Sequence, residues 1–457
     1  MTIAAAIEEL KPLLGERCTT SKSDRDIHGR SEVYYAPMPP DAVVYPQDAE
    51  EVSEIVKICA RHDCPIIPWG TGTSLEGHAL ALKGGVTVDF AQMNSVVELN
   101  AEDMDVRVQP GITRMALNEE LRATGLFFPV DPGANASIGG MASTRASGTT
   151  TVRYGTMADN VRALEVVLAD GRIIRTGSRA RKTSAGYDLT HLFVGAEGTL
   201  GLITELTLKL QGQPEAISAG ICAFPDMDAA VNCVMETIQM AIPMARIEFV
   251  DAATTQAFSA YSGRHMPAQP HLLVEFNGSD QAVTEQSRRF AEIVSDHGGS
   301  DFEWATKTED RNALWQLRHD GYYAILASRK GATAMSTDIC VPISRLAEAV
   351  TQTQADIADS PLEGPILGHV GDGNFHAILM MDPDNPDELA EAKRLADRMA
   401  ERALEMGGTV TGEHGVGMGK MKYMTREHGE AWSVMADLKR SFDPQNILNP
   451  GKMVQVN

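Results

Sequence analysis

The sequence predicts an α+β protein of more than one domain. Two observations carry that expectation beyond length: strand-like apolar runs alternate with amphipathic helical stretches through the first half, and the texture changes after Gln211-Gly212-Gln213-Pro214. With 457 residues the chain has room for two to four domains of about 150 residues each.

The elements follow in order. Met1 to Leu14 carries Glu8 and Glu9 and reads as a short amphipathic helix rather than a signal peptide. Glu51 to His62 has helical periodicity through Val52, Ile55, Val56 and Cys59. Pro65 to Pro68 reads as a short buried strand entering a glycine-rich loop. Val86 to Asp89, Val96 to Leu99 and Val106 to Val108 are further strands, and Met115 to Thr124 is a helix closed by Gly125. Two strands between Val161 and Ile174 flank the hairpin turn Ala169-Asp170-Gly171-Arg172, and Leu202 to Leu210 is a strand by its alternation. Beyond the seam, helices Asp228 to Met240 and Gln281 to Asp296 alternate with strands such as His271 to Phe276. This order predicts helices packed on one side of an antiparallel sheet. Asp387 to Met406 is a long charged helix stopped by Gly407-Gly408, and the residues after Gly419 are mostly helical up to Asn449-Pro450-Gly451-Lys452.

Composition narrows the function classes. Hydrophobic residues make up 43% and charged residues 22%, an ordinary globular balance that excludes a disordered chain. Acidic residues outnumber basic ones 62 to 40, and the net charge of -22 disfavours binding to nucleic-acid phosphates. No run approaches the roughly 20 apolar residues of a membrane span. The 6 cysteines include no Cys-x-x-Cys pair, which excludes a disulfide scaffold and the usual iron–sulfur ligand runs. Cys59 and Cys64 read as buried thiols, and the expected compartment is reducing and cytoplasmic.

Four glycine-rich loops stand out. The first, Pro68 to Gly77, follows a strand and offers backbone N–H groups and three hydroxyls, so it can wrap a pyrophosphate without Lys or Arg. It matches neither Gly-x-Gly-x-x-Gly nor a P-loop. The second runs from Pro129 through Pro132-Gly133 to Gly148, and its small residues suit close backbone approach to a flat ligand. The third is Arg153-Tyr154-Gly155 and the fourth Gly195 to Gly201. Any one of them alone is also an ordinary turn.

Together these loops resemble the FAD-binding domain of the vanillyl-alcohol oxidase and p-cresol methylhydroxylase superfamily. Within it they look like FAD-dependent D-lactate dehydrogenases of the cytochrome-linked type, over nearly the whole chain from about Ala42. The carrying strings are GTGTSLEG from Gly70, FPVDPGANAS from Phe128, VRYGTMADNV from Val152 and GYDLTHLFVGAEGTLGLIT from Gly186. The resemblance implies an FAD-binding domain of two α/β subdomains over residues 1–211. An antiparallel-sheet substrate domain covered by helices would span 212–415, and a helical segment returning to the FAD domain 416–457. It puts the diphosphate on Gly70, Thr71, Gly72, Thr73 and Ser74, with Trp69, Gly77 and His78 beside them. Ser137, Gly140, Ala142, Ser147 and Ile203 would lie near the adenine, ribitol or ring. Pro132, Gly133, Thr144, Ala146, Arg153, Glu197, Gly198 and Asn449 complete the implied cofactor set. Relatives with covalent FAD use a His where Thr73 stands, so dissociable FAD is expected, with His78 just beyond.

A histidine–carboxylate constellation is the sharpest local signal. Asp372-Gly373 in Gly368-His369-Val370-Gly371-Asp372-Gly373-Asn374-Phe375-His376 reads as a two-residue hairpin turn, which would set His369 directly opposite His376. Two facing imidazoles can share one metal ion. Glu413 in Gly412-Glu413-His414-Gly415 would complete a His/His/Glu set suited to zinc or another divalent first-row ion, although a polar turn with a solvated Glu413 is an equally simple reading of that stretch. The resemblance favours the metal, and it makes His414 the general base. It also makes Arg318 the anchor of a substrate carboxylate, with Tyr322 one helical turn on. Hydroxyglutarate-oxidising relatives carry Lys where Ser336 stands, so a small or apolar substrate side chain is expected. The implied activity is oxidation of a D-2-hydroxyacid, D-lactate-like, to the 2-oxoacid with hydride transfer to flavin N5. The alternatives are a D-2-hydroxyglutarate dehydrogenase and an alkylglycerone-phosphate synthase-like FAD transferase. The implied partners are an electron acceptor (a cytochrome, a quinone or an electron-transfer flavoprotein), reached at a membrane periphery or in the cytoplasm, and a second copy of the chain.

Overall fold

The structure, a computed structural model, describes residues 2–30, 34–300, 302–305 and 307–456. The chain divides into two compact units. One comprises Met1–Ser147, Gly155–Gln213 and Glu413–Asn457, and the other Gly148–Tyr154 and Pro214–Gly412.

The first unit holds two main sheets. The smaller has the strand order Cys18–Thr19, Ala42–Val44, Val86–Asp89, Ile66–Trp69, and its last three strands run parallel. Ala42–Val44 and Val86–Asp89 are buried at every position, as parallel strands covered on both faces must be. The helix Ala49–Arg61 packs on this sheet through Val52, Ile55, Val56 and Cys59, the stripe its periodicity predicts. Asp48 caps it by accepting the Glu51 amide at 2.8 Å. The amphipathic N-terminal helix, Ile3–Leu14, buries Ala6, Leu10 and Leu14 in the same core.

The larger sheet has the order Val96–Asn100, Asp105–Val108, Leu202–Lys209, Val161–Val167, Ile173–Gly177, all antiparallel. Val167 pairs with Ile173, and Gly171 turns the hairpin between them at φ 81°. The predicted helix before Gly125 is present as Arg114–Leu121 followed by a tighter turn, Arg122–Thr124, with Gly125 left-handed at φ 72°.

The second unit is built on one antiparallel sheet. Its order is Glu303–Ala305, Ala216–Ala223, His271–Gly278, Arg246–Val250, Ile366–Gly368, Asn374–Met381, Thr333–Ser336, and Ile339–Cys340 adds a second pairing to Asn374–Met381. Helices cover both faces, not the single face expected. Leu273, Val250 and Leu367 share a core with Phe258, Trp315 and Ile325 of the helices Ala252–Ser262, Thr308–His319 and Gly321–Ser328. Phe276, one step out of phase with Leu273, meets Phe290 of the helix Asp280–Asp296 on the other side, ring centroids 5.7 Å apart. The reason lies in the strand His271–Gly278, which is buried at its first seven positions, so both faces need cover. Among the described residues no helix is long and apolar enough to cross a membrane.

Candidate active site

In the first unit, the loop after Ile66–Trp69 leaves the sheet with its donors free. Among the described residues, the amide hydrogens of Thr71 to Leu75 meet no acceptor within the protein. A Cβ at Gly70 would run into Ser137 Oγ, and one at Gly77 into the Met418 side chain, so neither position has room for a larger residue. Trp69 is buried against His28, ring centroids 4.6 Å apart. Ser137 caps the short helix Ile138–Ser143 by accepting the Gly140 amide at 3.3 Å, and Thr144 Oγ1 donates to the Gly140 carbonyl. Ala142, Ala146, Ser147 and Ile203 are buried, whereas Pro132 is half-buried and Gly133 faces open space. Unengaged amides on a strand-following loop, beside small buried residues, fit the diphosphate and flat ring of a flavin dinucleotide. His78 Nδ1 is buried without a hydrogen-bond partner, which also suits a ligand surface.

Glu197 and Asn449, members of the predicted cofactor set, bind the protein itself. The Glu197 carboxylate accepts the Val416 amide at 2.7 Å and the Gly417 amide at 2.9 Å, and lies 3.2 Å from His78 Nε2. Burial alone would raise this carboxyl; the neighbouring His78 and the two amides outweigh it and hold it below the usual carboxylate range. The Asn449 amide donates to the His78 and Glu197 carbonyls, and its Oδ1 accepts from Lys452 Nζ at 2.7 Å. Burial pushes the Lys452 ammonium down to about 7. These residues brace the returning segment against the fourth loop. Glu413 and His414 open that segment, and Glu413 accepts a hydrogen bond from Ser147 Oγ at 3.0 Å. Arg153, exposed, belongs to the second unit and donates to the Pro243 carbonyl.

In the second unit the two histidines do come together, by a different turn from the one expected. Leu367, not His369, stands opposite His376. A tight helical turn over Val370–Asp372, closed by Gly373 at φ 80°, makes the connection longer than two residues. The Asp-Gly pair supplies the left-handed residue, but His369 caps the turn instead of joining the ladder. The rings nevertheless lie 5.6 Å apart between centroids, with a nitrogen of each within 4.8 Å of one on the other.

The tautomers follow from the partners. His369 Nδ1 lies 2.8 Å from Glu248 Oε1, and His376 Nδ1 lies 2.9 Å from the Thr337 carbonyl. A carboxylate and a carbonyl only accept, so each Nδ1 carries the hydrogen, and in the neutral ring Nε2 is the nitrogen with the lone pair. That is the arrangement metal-binding histidines show. Asp338 lies 3.8 Å from His376 Nδ1 and accepts from Asn374 Nδ2 at 2.8 Å and Thr411 Oγ1 at 2.7 Å.

Arg318, only 7% exposed, projects from the helix Thr308–His319 with Nη2 2.7 Å from Glu248 Oε2. Its Nε hydrogen is buried without a hydrogen-bond partner, and Nη2 faces the Glu248 carboxylate without a well-directed hydrogen bond. Tyr322 is half-buried on the next helix, Gly321–Ser328. Ser336 is half-buried opposite Ile378, on the sheet face that carries His376. Sequence reading missed Glu248 and gave Asp338 no role. The signal for Glu248 was a lone acid in an otherwise apolar strand centre, Ile247-Glu248-Phe249, because a buried carboxylate must have partners.

Residues 40–177 match the model of the FAD binding domain, and residues 213–453 match that of the FAD linked oxidases, C-terminal domain. The chain is 50% identical to a probable mitochondrial D-lactate dehydrogenase of Danio rerio, covering 96% of this chain and 90% of the relative. It is 45% identical to a mitochondrial D-lactate dehydrogenase (cytochrome) of Arabidopsis thaliana, covering 98% and 80%. Its fold is that of p-cresol methylhydroxylase, with a TM-score of 0.79, 17% identity, and coverage of 98% and 96%. Both family models together with these relatives show that the chain belongs to the family of FAD-linked oxidases.

Proposed function

We propose that this protein oxidises D-lactate, or a D-2-hydroxyacid of similar size, to the 2-oxoacid. FAD, when bound, supplies the acceptor for the α-hydrogen as hydride. The observation that carries the reading is the pair of histidines with committed Nδ1 hydrogens beside a buried arginine, in a chain half identical to a D-lactate dehydrogenase. The free amides of Thr71 to Leu75 would hold the FAD diphosphate.

His369 and His376 would hold a divalent metal through Nε2, with Glu413 as third ligand and zinc as the ion that suits mixed nitrogen and oxygen donors. Support for Glu413 comes from the chain itself. It directly follows Gly412, which lies against the Asn374 side chain two residues from His376. When bound, the metal would lower the pKa of the substrate hydroxyl. His414 would take the hydroxyl proton as general base. Arg318 would grip the substrate carboxylate, with Tyr322 on the same side, and Ser336 would leave no second cation for a dicarboxylate. Reduced flavin then needs an acceptor, and the name of the Arabidopsis relative points to a cytochrome.

Anaerobic bleaching of the flavin absorbance tests the reading. D-lactate, L-lactate and D-2-hydroxyglutarate are offered separately to zinc-supplemented protein. Bleaching by D-lactate alone is expected; bleaching by the glutarate alone, or by none, overturns it.

A further inference from the structure

Glu248 has no place in the reaction as described, yet it is a fully buried acid that faces both Arg318 and His369. Its side chain is 1% exposed, with one oxygen 2.7 Å from Arg318 Nη2 and the other 2.8 Å from His369 Nδ1. It sits on Arg246–Val250 directly opposite Leu273, on the same sheet face as His376. One carboxylate therefore touches both the arginine proposed to bind substrate and a histidine proposed to bind metal. Two physical consequences follow. Its charge offsets that of Arg318, so the arginine alone offers an incoming anion little net attraction. Its hydrogen bond keeps the proton on Nδ1 of His369 and the lone pair on Nε2, which favours metal ligation.

We propose that Glu248 is a positioning residue that makes binding of the substrate carboxylate conditional on the metal. With no metal, the Arg318–Glu248 pair is neutral and the anion binds weakly. A divalent cation on His369 and His376 adds the positive charge that Glu248 cancels. The carboxylate is then held by Arg318 while Glu248 keeps His369 in its ligating tautomer. This proposal rests on the metal site of the preceding section, but its test needs no turnover.

The probe is 2-hydroxyisobutyrate, a hydroxyacid without an α-hydrogen and so unable to reduce the flavin. Its binding to the FAD-loaded protein is measured by calorimetry and by the flavin spectrum, after chelation and after restoring zinc. Zinc affinity is measured separately by competition with a chelating dye. Wild-type protein should bind the probe at least about 10-fold more tightly with zinc than without, a shift fitting one added close charge. In Glu248→Gln the two readouts should move in opposite directions. Zinc affinity should fall about 10- to 100-fold, the usual cost of a lost carboxylate behind a histidine ligand. Probe affinity of the stripped variant should rise about 10-fold over stripped wild type, because Arg318 is no longer neutralised.

A structural role alone would lower both affinities together, and that result overturns the proposal. So does a zinc-independent probe affinity in wild type, which decides the matter even if the variant does not fold, and so does wild-type protein that takes up no zinc. Failure of D-lactate to bleach the flavin is a separate result: it removes the substrate assignment and leaves the zinc–anion coupling to be read from the probe.

Discussion

Replacing Glu197 by Gln should loosen the segment that delivers Glu413 and His414. The carboxylate accepts the Val416 and Gly417 amides at 2.7 and 2.9 Å and faces His78 at 3.2 Å, in a fully enclosed position. A Gln can accept one of those amides, but its own NH2 then confronts the other donor. Bonds to a charged acceptor contribute about 1.5–3 kcal/mol, and an unmatched buried donor costs about 1–3 kcal/mol. The change should therefore destabilise the first unit by roughly 3 kcal/mol, near the lower end expected for breaking a buried ion pair. At about 2–4 °C per kcal/mol for a unit of this size, its melting should fall by about 6–12 °C. Thermal release of FAD, followed by flavin fluorescence, reads that transition separately from the second unit. Turnover should drop about 10- to 100-fold, since His414 lies two residues from Val416 and small misplacements of a catalytic group are costly. The sign with pH is fixed by the lowered carboxyl. Glu197's contribution is complete above the ordinary value of 4.5 and is lost as pH falls through its depressed value, so the wild-type advantage over the variant should vanish in strong acid. A variant melting within about 1 °C of wild type at pH 7, with unchanged turnover, would refute this reasoning.

Three further outcomes are expected. His414→Ala should retain FAD but lose at least about 100-fold in turnover, the scale of a general base; undiminished turnover places the base elsewhere. Gly70→Ala drives a methyl group into Ser137 Oγ and should weaken FAD binding about 10-fold or more, at about 1–3 kcal/mol for overpacking, as read by flavin fluorescence titration. Burial holds Lys452 at about 7, against 10.5 for an ordinary lysine, so the unfolded chain binds one more proton between those values and wild-type stability should rise with pH across them. Lys452→Met should flatten that slope in urea midpoints measured from pH 7 to 10, and an unaltered slope would show that Lys452 does not cause it.

The order of elements was legible because short-range patterning dictates it. The stripe of Val52, Ile55, Val56 and Cys59, the Asp170-Gly171 turn and the helix after Asn385 each depend on near neighbours in sequence. The glycine loops were legible as local strings, although the contacts that demand glycine at Gly70 and Gly77 come from Ser137 and Met418, far along the chain. What failed depended on contacts between distant segments. An Asp-Gly pair is compatible with several turn lengths, and the register that sets Leu367 opposite His376 comes from the neighbouring strands. Helices on both faces were signalled by Leu272-Leu273-Val274, apolar at successive positions and so on both faces, which was read for strand type and not for cover. Glu248 lies 121 residues from His369, so nothing local to either announces the pair.

The central claim, a flavin-linked hydroxyacid oxidation at a metal-dependent histidine site, is tested most directly by the rate of flavin reduction in stopped flow. Anaerobic wild-type protein is mixed with D-lactate after removal of metal and again after zinc is restored, with FAD content held equal. The account predicts fast reduction with zinc and a rate lower by at least about 100-fold without it. Equal rates in the two samples would contradict it, and His369 and His376 would then be structural residues on the sheet.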